Sequence, residues 1–130
     1  MKEVIKTAEA PAAIGPYSQG IAAPCGKIIF IAGQIAINPK SGELVNGGIV
    51  EQTKQVLENI KAILTVSGAK MEDVVKTTVF LPSLDDFTLM NETYARYFPA
   101  NPPARSTVEV GRLPRGAKVE IEAVAVLQKK

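Results

Sequence analysis

The stretch Pro102-Pro-Ala-Arg105-Ser-Thr-Val-Glu-Val-Gly-Arg-Leu-Pro-Arg-Gly-Ala-Lys-Val-Glu120-Ile-Glu-Ala-Val-Ala-Val126 decides how the rest of the chain is organised. Two of its segments alternate between residue classes with a period of two, which is typical of half-buried strands. A loop rich in glycine and proline separates them. Arg105 begins the first predicted strand, and Glu120 lies early in the second. A guanidinium and a carboxylate would therefore face one pocket if the two strands lie close together.

Length and composition indicate one domain over residues 1–130, with 46% hydrophobic and 22% charged residues. A net charge of +2 is too weak to indicate nucleic-acid binding by itself. The chain has no histidine and one cysteine, Cys25, which excludes an internal disulfide, a structural zinc site and a histidine-dependent nucleophile. This cysteine usage suits the cytoplasm. The first residues contain no long apolar run, which argues against a signal peptide and a membrane span.

Two helices are predicted from apolar residues recurring every three or four positions. The first covers residues 49–67 and ends at Gly68, a suitable left-handed C-cap. The second begins after Ser83, a suitable N-cap, and ends near Phe98, before a run of prolines. Its predicted buried stripe is Phe87, Met90, Asn91, Tyr94 and Phe98.

Strands are predicted within residues 3–7, 17–23, 28–31 and 74–81, besides the two in the opening stretch. A turn at residues 24–27 predicts a hairpin between the second and third strands. The segments 28–31 and 74–81 are apolar on both faces, which is typical of strands buried on both sides.

The predicted order β-β-β-α-β-α-β-β indicates an α+β sandwich, a β-sheet with two helices on one face. Two helices can cover only one face of such a sheet. The last strand nevertheless carries Val124 and Val126 on its second face. We therefore expect the uncovered face to be buried by self-association.

Arg105 and Glu120 are the first candidates for chemistry, and each has an ordinary structural alternative. Arg105 could bind a carboxylate through its planar fork, or it could be a surface arginine in an ion pair. Glu120 could orient a water molecule or pair with a cationic nitrogen, or it could be a solvated strand residue.

Three further residues could contribute to a site. Asn91 interrupts an apolar helical stripe, so its amide is either satisfied in the core or a donor to a ligand. The hydroxyl of Tyr17 could serve a site, or the ring could simply be packed. Gly33 could present its backbone N–H to an anion, or it could mark a bulge. Cys25 has no basic neighbour in sequence and is not assigned as a nucleophile.

Several segments, in register over essentially the whole chain, resemble the reactive-intermediate deaminase family (RidA, also called YjgF). They include Ala-Ile-Gly-Pro-Tyr17-Ser-Gln-Gly, Ala32-Gly33-Gln34-Ile, Asn91-Glu-Thr-Tyr, Pro-Ala-Arg105-Ser-Thr-Val-Glu-Val and Leu-Pro-Arg-Gly-Ala-Lys-Val-Glu120-Ile-Glu-Ala. The resemblance implies a chorismate-mutase-like α+β fold with a mixed sheet. It also implies a homotrimer around a central barrel, with three sites in clefts between subunits.

The same resemblance implies hydrolysis of 2-iminobutanoate and 2-iminopropanoate to 2-oxo acids and ammonia. These imines arise from threonine and serine through pyridoxal-phosphate dehydratases. A protonated imine is already electrophilic at carbon, so positioning and a carboxylate clamp can supply most of the acceleration without a metal or cofactor.

By position, the resemblance implies that Arg105 clamps the substrate carboxylate and that Glu120 holds the attacking water or the substrate nitrogen. The remaining pocket residues that it implies are Tyr17, the Gly33 backbone, Asn91 and Thr107. The sequence departs from many deaminating members in having Ala32 in place of serine and Thr107 in place of cysteine. Both charged residues are retained.

Two other functions are compatible with such a chain. Some relatives are described as endoribonucleases or translation inhibitors, but the nearly balanced charge, the lack of histidine and an aromatic content of 5% disfavour RNA as a partner. A trimer that binds 2-oxo acids without turning them over would also require Arg105, so the sequence does not separate it from the enzyme.

Overall fold

The structure is a computed structural model that describes residues 2–128, and it contains the predicted order of strands and helices. The helices are α1 (Ile49–Val66) and α2 (Phe87–Tyr97). The strands are β1 (Glu3–Ile5), β2 (Gly20–Ala22), β3 (Gly26–Gln34), β4 (Val74–Leu81), β5 (Ala104–Glu109) and β6 (Glu120–Gln128).

The main sheet has four strands in the order β3-β6-β4-β5. The β4–β5 pair is parallel and the other two pairs are antiparallel, so the sheet is mixed as expected. The predicted hairpin across residues 24–27 is wrong, because β2 pairs with β1 and β3 pairs with β6. The turn residues reported only the local chain direction. The nine-residue β3 forms more ladder hydrogen bonds with β6 than it could form with the three-residue β2.

The core lies between the two helices and one face of the sheet. Helix α1 buries Val56, Leu57, Ile60 and Leu64 against it. Alternate residues of β3, β4 and β6 face the same layer: Ile29, Ile31, Thr77, Val79, Leu81, Ile121, Ala123 and Ala125. Full burial of one leucine or isoleucine side chain contributes about 2 kcal/mol, so this layer accounts for much of the fold's stability.

The ends of α1 explain why this helix was predictable. The Gly48 N–H donates to Glu51 Oε1 at 2.8 Å, which satisfies one of the unpaired N–H groups of the first turn. Gly68 follows the helix with φ +82°, a left-handed conformation that glycine adopts without strain. Both ends were therefore encoded by local chemistry.

The other face of the sheet is open in the single chain. Phe30 is 78% exposed and Ile28 is 57% exposed, whereas their neighbours Ile29 and Ile31 are buried. The prediction that residues 28–31 are buried on both faces is thus wrong for one chain. Within residues 2–128, no helix combines the length and the apolar character that crossing a bilayer requires.

Candidate functional site

Arg105 projects from the edge strand β5 toward the helix layer. The register of the parallel β4–β5 ladder pairs it with Thr77, whose side chain is buried on that face. The guanidinium carbon Cζ lies over three aromatic rings, at 4.9 Å from the Tyr94 centroid, 5.3 Å from Tyr17 and 5.8 Å from Phe87. A cation at these distances is attracted by the electron-rich ring faces. Burial lowers the pKa of Arg105, with the two tyrosines opposing that change.

Three buried polar atoms near this guanidinium have no hydrogen-bond partner among residues 2–128. They are Arg105 Nη1, Asn91 Oδ1 and Thr107 Oγ1, three of the four buried side-chain atoms of this kind in that range. Thr107 pairs with Val79 and so shares the helix-facing side with Arg105. Since buried polar atoms are normally paired, such a concentration marks a place where a polar ligand would complete the bonds.

Gly15 joins Asn91 and Arg105 into one cluster. A Cβ built on Gly15 would lie 3.5 Å from both Arg105 Nη2 and Asn91 Nδ2, so the backbone there packs between the two side chains. Asn91 also lies four residues after Phe87 and three before Tyr94, which puts all three on one face of α2. The site therefore presents N–H and hydroxyl donors with one amide oxygen acceptor, inside an aromatic wall.

Tyr17 reaches this cluster because its loop is attached to the edge of β5. The Ser18 N–H donates to Pro103 O at 3.1 Å, and the Ser18 hydroxyl donates to Pro102 O at 2.5 Å. A parallel bridge joins Ser18 to Ala104, directly before Arg105. Ser18 thus anchors the loop that carries Tyr17.

Gly33 and Glu120 form a second cluster on β3 and β6. A Cβ on Gly33 would lie 2.9 Å from the Glu120 Cδ and closer still to its Oε2. The carboxylate therefore lies directly over the Gly33 backbone. Only a residue without a side chain leaves the room for this arrangement.

The two clusters are on opposite faces of the sheet within one chain. Strand β4 lies between β5 and β6, so the two predicted strands are not neighbours. Glu120 pairs with Phe80, whereas Arg105 pairs with Thr77 three residues earlier on the same strand. Because side chains alternate along a strand, residues 77 and 80 face opposite sides. The condition for a shared pocket within one chain is therefore not met.

Sequence reasoning assigned Phe87 and Tyr94 to the buried stripe of α2, and it did not assign a role to Thr77 or Ser18. The spacing of Phe87, Asn91 and Tyr94 was the available signal, since it puts a polar amide between two aromatic residues on one helical face. A groove of about 1010 Å³ lies elsewhere, between the C-terminal ends of α1 and β6, and is lined by neither Arg105 nor Glu120.

The chain is similar to known proteins over nearly its whole length. The family model described as Endoribonuclease L-PSP matches residues 7–127. A RutC family protein of Pyrococcus horikoshii is 58% identical over 125 residues, covering 96% of this chain and 98% of that protein. The mouse protein named 2-iminobutanoate/2-iminopropanoate deaminase is 49% identical over 126 residues, covering 97% of this chain and 92% of its own length.

Solved structures agree with the fold. The crystal structure of E. coli TdcF with bound serine is 42% identical in sequence and superposes with a TM-score of 0.75, covering 97% of this chain and 99% of that one. Each of these relatives matches 96% or 97% of this chain. The chain therefore belongs to the RidA/YjgF family, whose family model bears the description Endoribonuclease L-PSP.

Proposed function

We propose that this chain hydrolyses 2-imino acids, with 2-iminobutanoate and 2-iminopropanoate as substrates, to 2-oxo acids and ammonia. The observation that supports this most directly is the buried Nη1 of Arg105, which, like Asn91 Oδ1 and Thr107 Oγ1, has no hydrogen-bond partner within residues 2–128. A planar guanidinium with free donors matches a carboxylate fork. Relatives near 49% identity that are named imine deaminases support the reaction class.

In this proposal Arg105 binds the substrate carboxylate, with the Thr107 hydroxyl as a further donor. The amide oxygen of Asn91 accepts an N–H of the iminium group. Glu120 accepts a proton from water as the water oxygen adds to the C=N carbon. The protonated Glu120 then gives that proton to the nitrogen of the C(OH)(NH2) adduct. As the C–N bond breaks, ammonia leaves with the bonding electron pair, the hydroxyl proton passes back to Glu120, and the C=O bond of the 2-oxo acid forms. No electron acceptor is needed, and we assign no cofactor or metal to the reaction.

The proposed reaction is measured with imine generated in place by a pyridoxal-phosphate-dependent threonine dehydratase. Adding the protein should accelerate the formation of 2-oxobutanoate and ammonia above spontaneous hydrolysis, in proportion to its concentration. A rate equal to the spontaneous one, together with 2-oxobutanoate binding in a calorimeter, would favour the non-catalytic binding protein instead. An activity that cleaves single-stranded RNA, that co-purifies with the protein and that is lost in Arg105→Ala would favour the endoribonuclease function.

We also propose that the two clusters meet across an interface between copies, as a homotrimer with shared sites would require. The open face exposes Ile28, Phe30 and Val108, which is a large apolar area for a chain on its own. Covering that face with a second copy would remove these side chains from water. It would also allow the Arg105 cluster of one copy to approach the Glu120 cluster of another.

Sedimentation or light scattering at micromolar concentration should report three chains.

A mixture of Arg105→Lys and Glu120→Gln chains, co-expressed with different tags, should then regain activity that neither variant has alone. Random assembly in equal amounts restores both residues in about a quarter of shared sites. A stable monomer, or no recovery in mixed assemblies, would contradict the shared site.

A further inference from the structure

Tyr94 and Thr77 share a hydrogen bond beneath the Arg105 guanidinium. Their oxygens are 2.6 Å apart, and both side chains are almost completely buried. Burial raises the pKa of Tyr94 to about 12, while the hydrogen bond with Thr77 and the charge of Arg105 act in the opposite direction. The phenol is therefore neutral near pH 7 and keeps its O–H for this hydrogen bond.

This hydrogen bond fixes the ring that lies nearest to the guanidinium. Of the three rings around Arg105, that of Tyr94 is at the shortest distance, 4.9 Å from Cζ. The Tyr94 ring also packs against Phe98, with ring centroids 4.7 Å apart and planes tilted by 39°. Thr77 is also the direct ladder partner of Arg105. The strand that positions the arginine backbone thus also positions its aromatic support.

An aromatic support has a consequence that an ion pair would not have. A carboxylate partner would occupy the in-plane N–H donors of the guanidinium, which are the donors that a ligand carboxylate needs. Ring faces attract the cation without accepting those N–H groups as a carboxylate does. Because the rings do not take up these donors, Arg105 Nη1 is buried without a hydrogen-bond partner among residues 2–128.

We propose that Thr77 and Tyr94 are positioning residues: their hydrogen bond fixes the ring that holds Arg105 in place with its carboxylate-binding donors free. The identity of the ligand in this proposal rests on the proposed function. Neither residue touches the reacting carbon. Their effect should therefore appear in ligand affinity and KM, with little change in kcat.

Three variants test the bond, and a fourth is the matched control. Tyr94→Phe and Thr77→Val each remove one partner, whereas Thr77→Ser retains the hydroxyl. Tyr97→Phe, on the same helix, removes a hydroxyl that donates to Glu58 Oε2 at 2.7 Å and lies outside the aromatic wall of Arg105.

Tyr94→Phe and Thr77→Val should each raise KM and the Kd for 2-oxobutanoate about fivefold, as expected for one lost hydrogen bond. The double variant should show no larger effect than the single ones, because both act through the same bond. Thr77→Ser and Tyr97→Phe should bind as the wild type does. Unchanged affinity in both single variants, or effects that multiply in the double variant, would overturn the positioning role.

A ligand-free measurement separates this proposal from the proposed function. The NMR signal of the Arg105 Nε–Hε group is shifted by the ring currents of the aromatic wall. It should move in Tyr94→Phe and in Thr77→Val and stay in place in Tyr97→Phe. If wild-type protein neither accelerates imine hydrolysis nor binds 2-oxobutanoate, the proposed function fails, and the positioning role is decided by this signal alone. If the Arg105 signal moves in neither Tyr94→Phe nor Thr77→Val, the positioning role is overturned.

Discussion

Replacing Arg105 with lysine is expected to lower kcat/KM for 2-imino acid hydrolysis by about 30- to 1,000-fold, equivalent to the loss of a desolvated charged hydrogen bond. Lysine keeps the positive charge but presents a point charge on a flexible stem, so it cannot reproduce two parallel N–H donors. It also loses the flat cation that lies over Tyr94, Tyr17 and Phe87. Binding of 2-oxobutanoate, followed by calorimetry, should weaken to a similar extent.

The matched control for this change is Arg96→Lys. Arg96 lies on α2, the helix that faces Arg105, but it is exposed to solvent. That variant should bind and turn over as the wild type does, and circular dichroism should show that both variants are folded. An Arg105→Lys protein that binds 2-oxobutanoate with wild-type affinity and hydrolyses the imine at the wild-type rate would rule out the carboxylate clamp.

Replacing Glu120 with glutamine is expected to act on turnover. Loss of a positioned general base typically lowers kcat by about 10²- to 10⁴-fold. Affinity for 2-oxobutanoate should change much less, since the proposed role of Glu120 concerns water and nitrogen and leaves the carboxylate to Arg105. Steady-state kinetics with imine generated in place would measure kcat, and calorimetry would measure affinity.

A second variant tests the same carboxylate without changing it. In Gly33→Ala the new methyl group would collide with the Glu120 side chain, which is flexible enough to move away. Turnover should fall while the fold is retained. Glu122→Gln is the control, because Glu122 is an exposed glutamate two residues further along the same strand. If Glu120→Gln reduced activity no more than Glu122→Gln, Glu120 would have no role in the chemistry.

Helix α1 and strand β4 were the elements best predicted from sequence. The prediction of residues 74–81 as a strand matches the observed bounds, and that of residues 49–67 as a helix differs at one end by one residue. Both have strong local signals, an apolar stripe with caps in one case and a β-branched run stopped by Pro82 in the other. The predicted strand at residues 17–23 was too long, because the observed β2 begins at Gly20 and Ser18 instead bridges to Ala104 of β5.

The candidate site shows the same contrast between features that local sequence predicts and features that depend on tertiary contacts. Arg105 and Tyr17 were singled out by residue type and by their positions at predicted strand starts, and Asn91 because it interrupts an apolar helical stripe. These three lie together in the structure. The aromatic wall was recognised only as core, because periodicity reports that a side chain is buried without reporting its neighbours. Whether the assembly then brings Glu120 to the arginine remains a prediction.

By itself, the sequence determined the order of strands and helices, the apolar face of each helix, and the residue types available for binding a carboxylate. These properties depend on local alternation, on caps and on side-chain chemistry, all of which are present in the chain before it folds. The tertiary structure decided which strands are neighbours. It inserted β4 between β5 and β6, and the register of that ladder sent Arg105 and Glu120 to opposite faces. Strand pairing and register are set by how the whole set of apolar faces can be buried at once, and no single stretch contains that information.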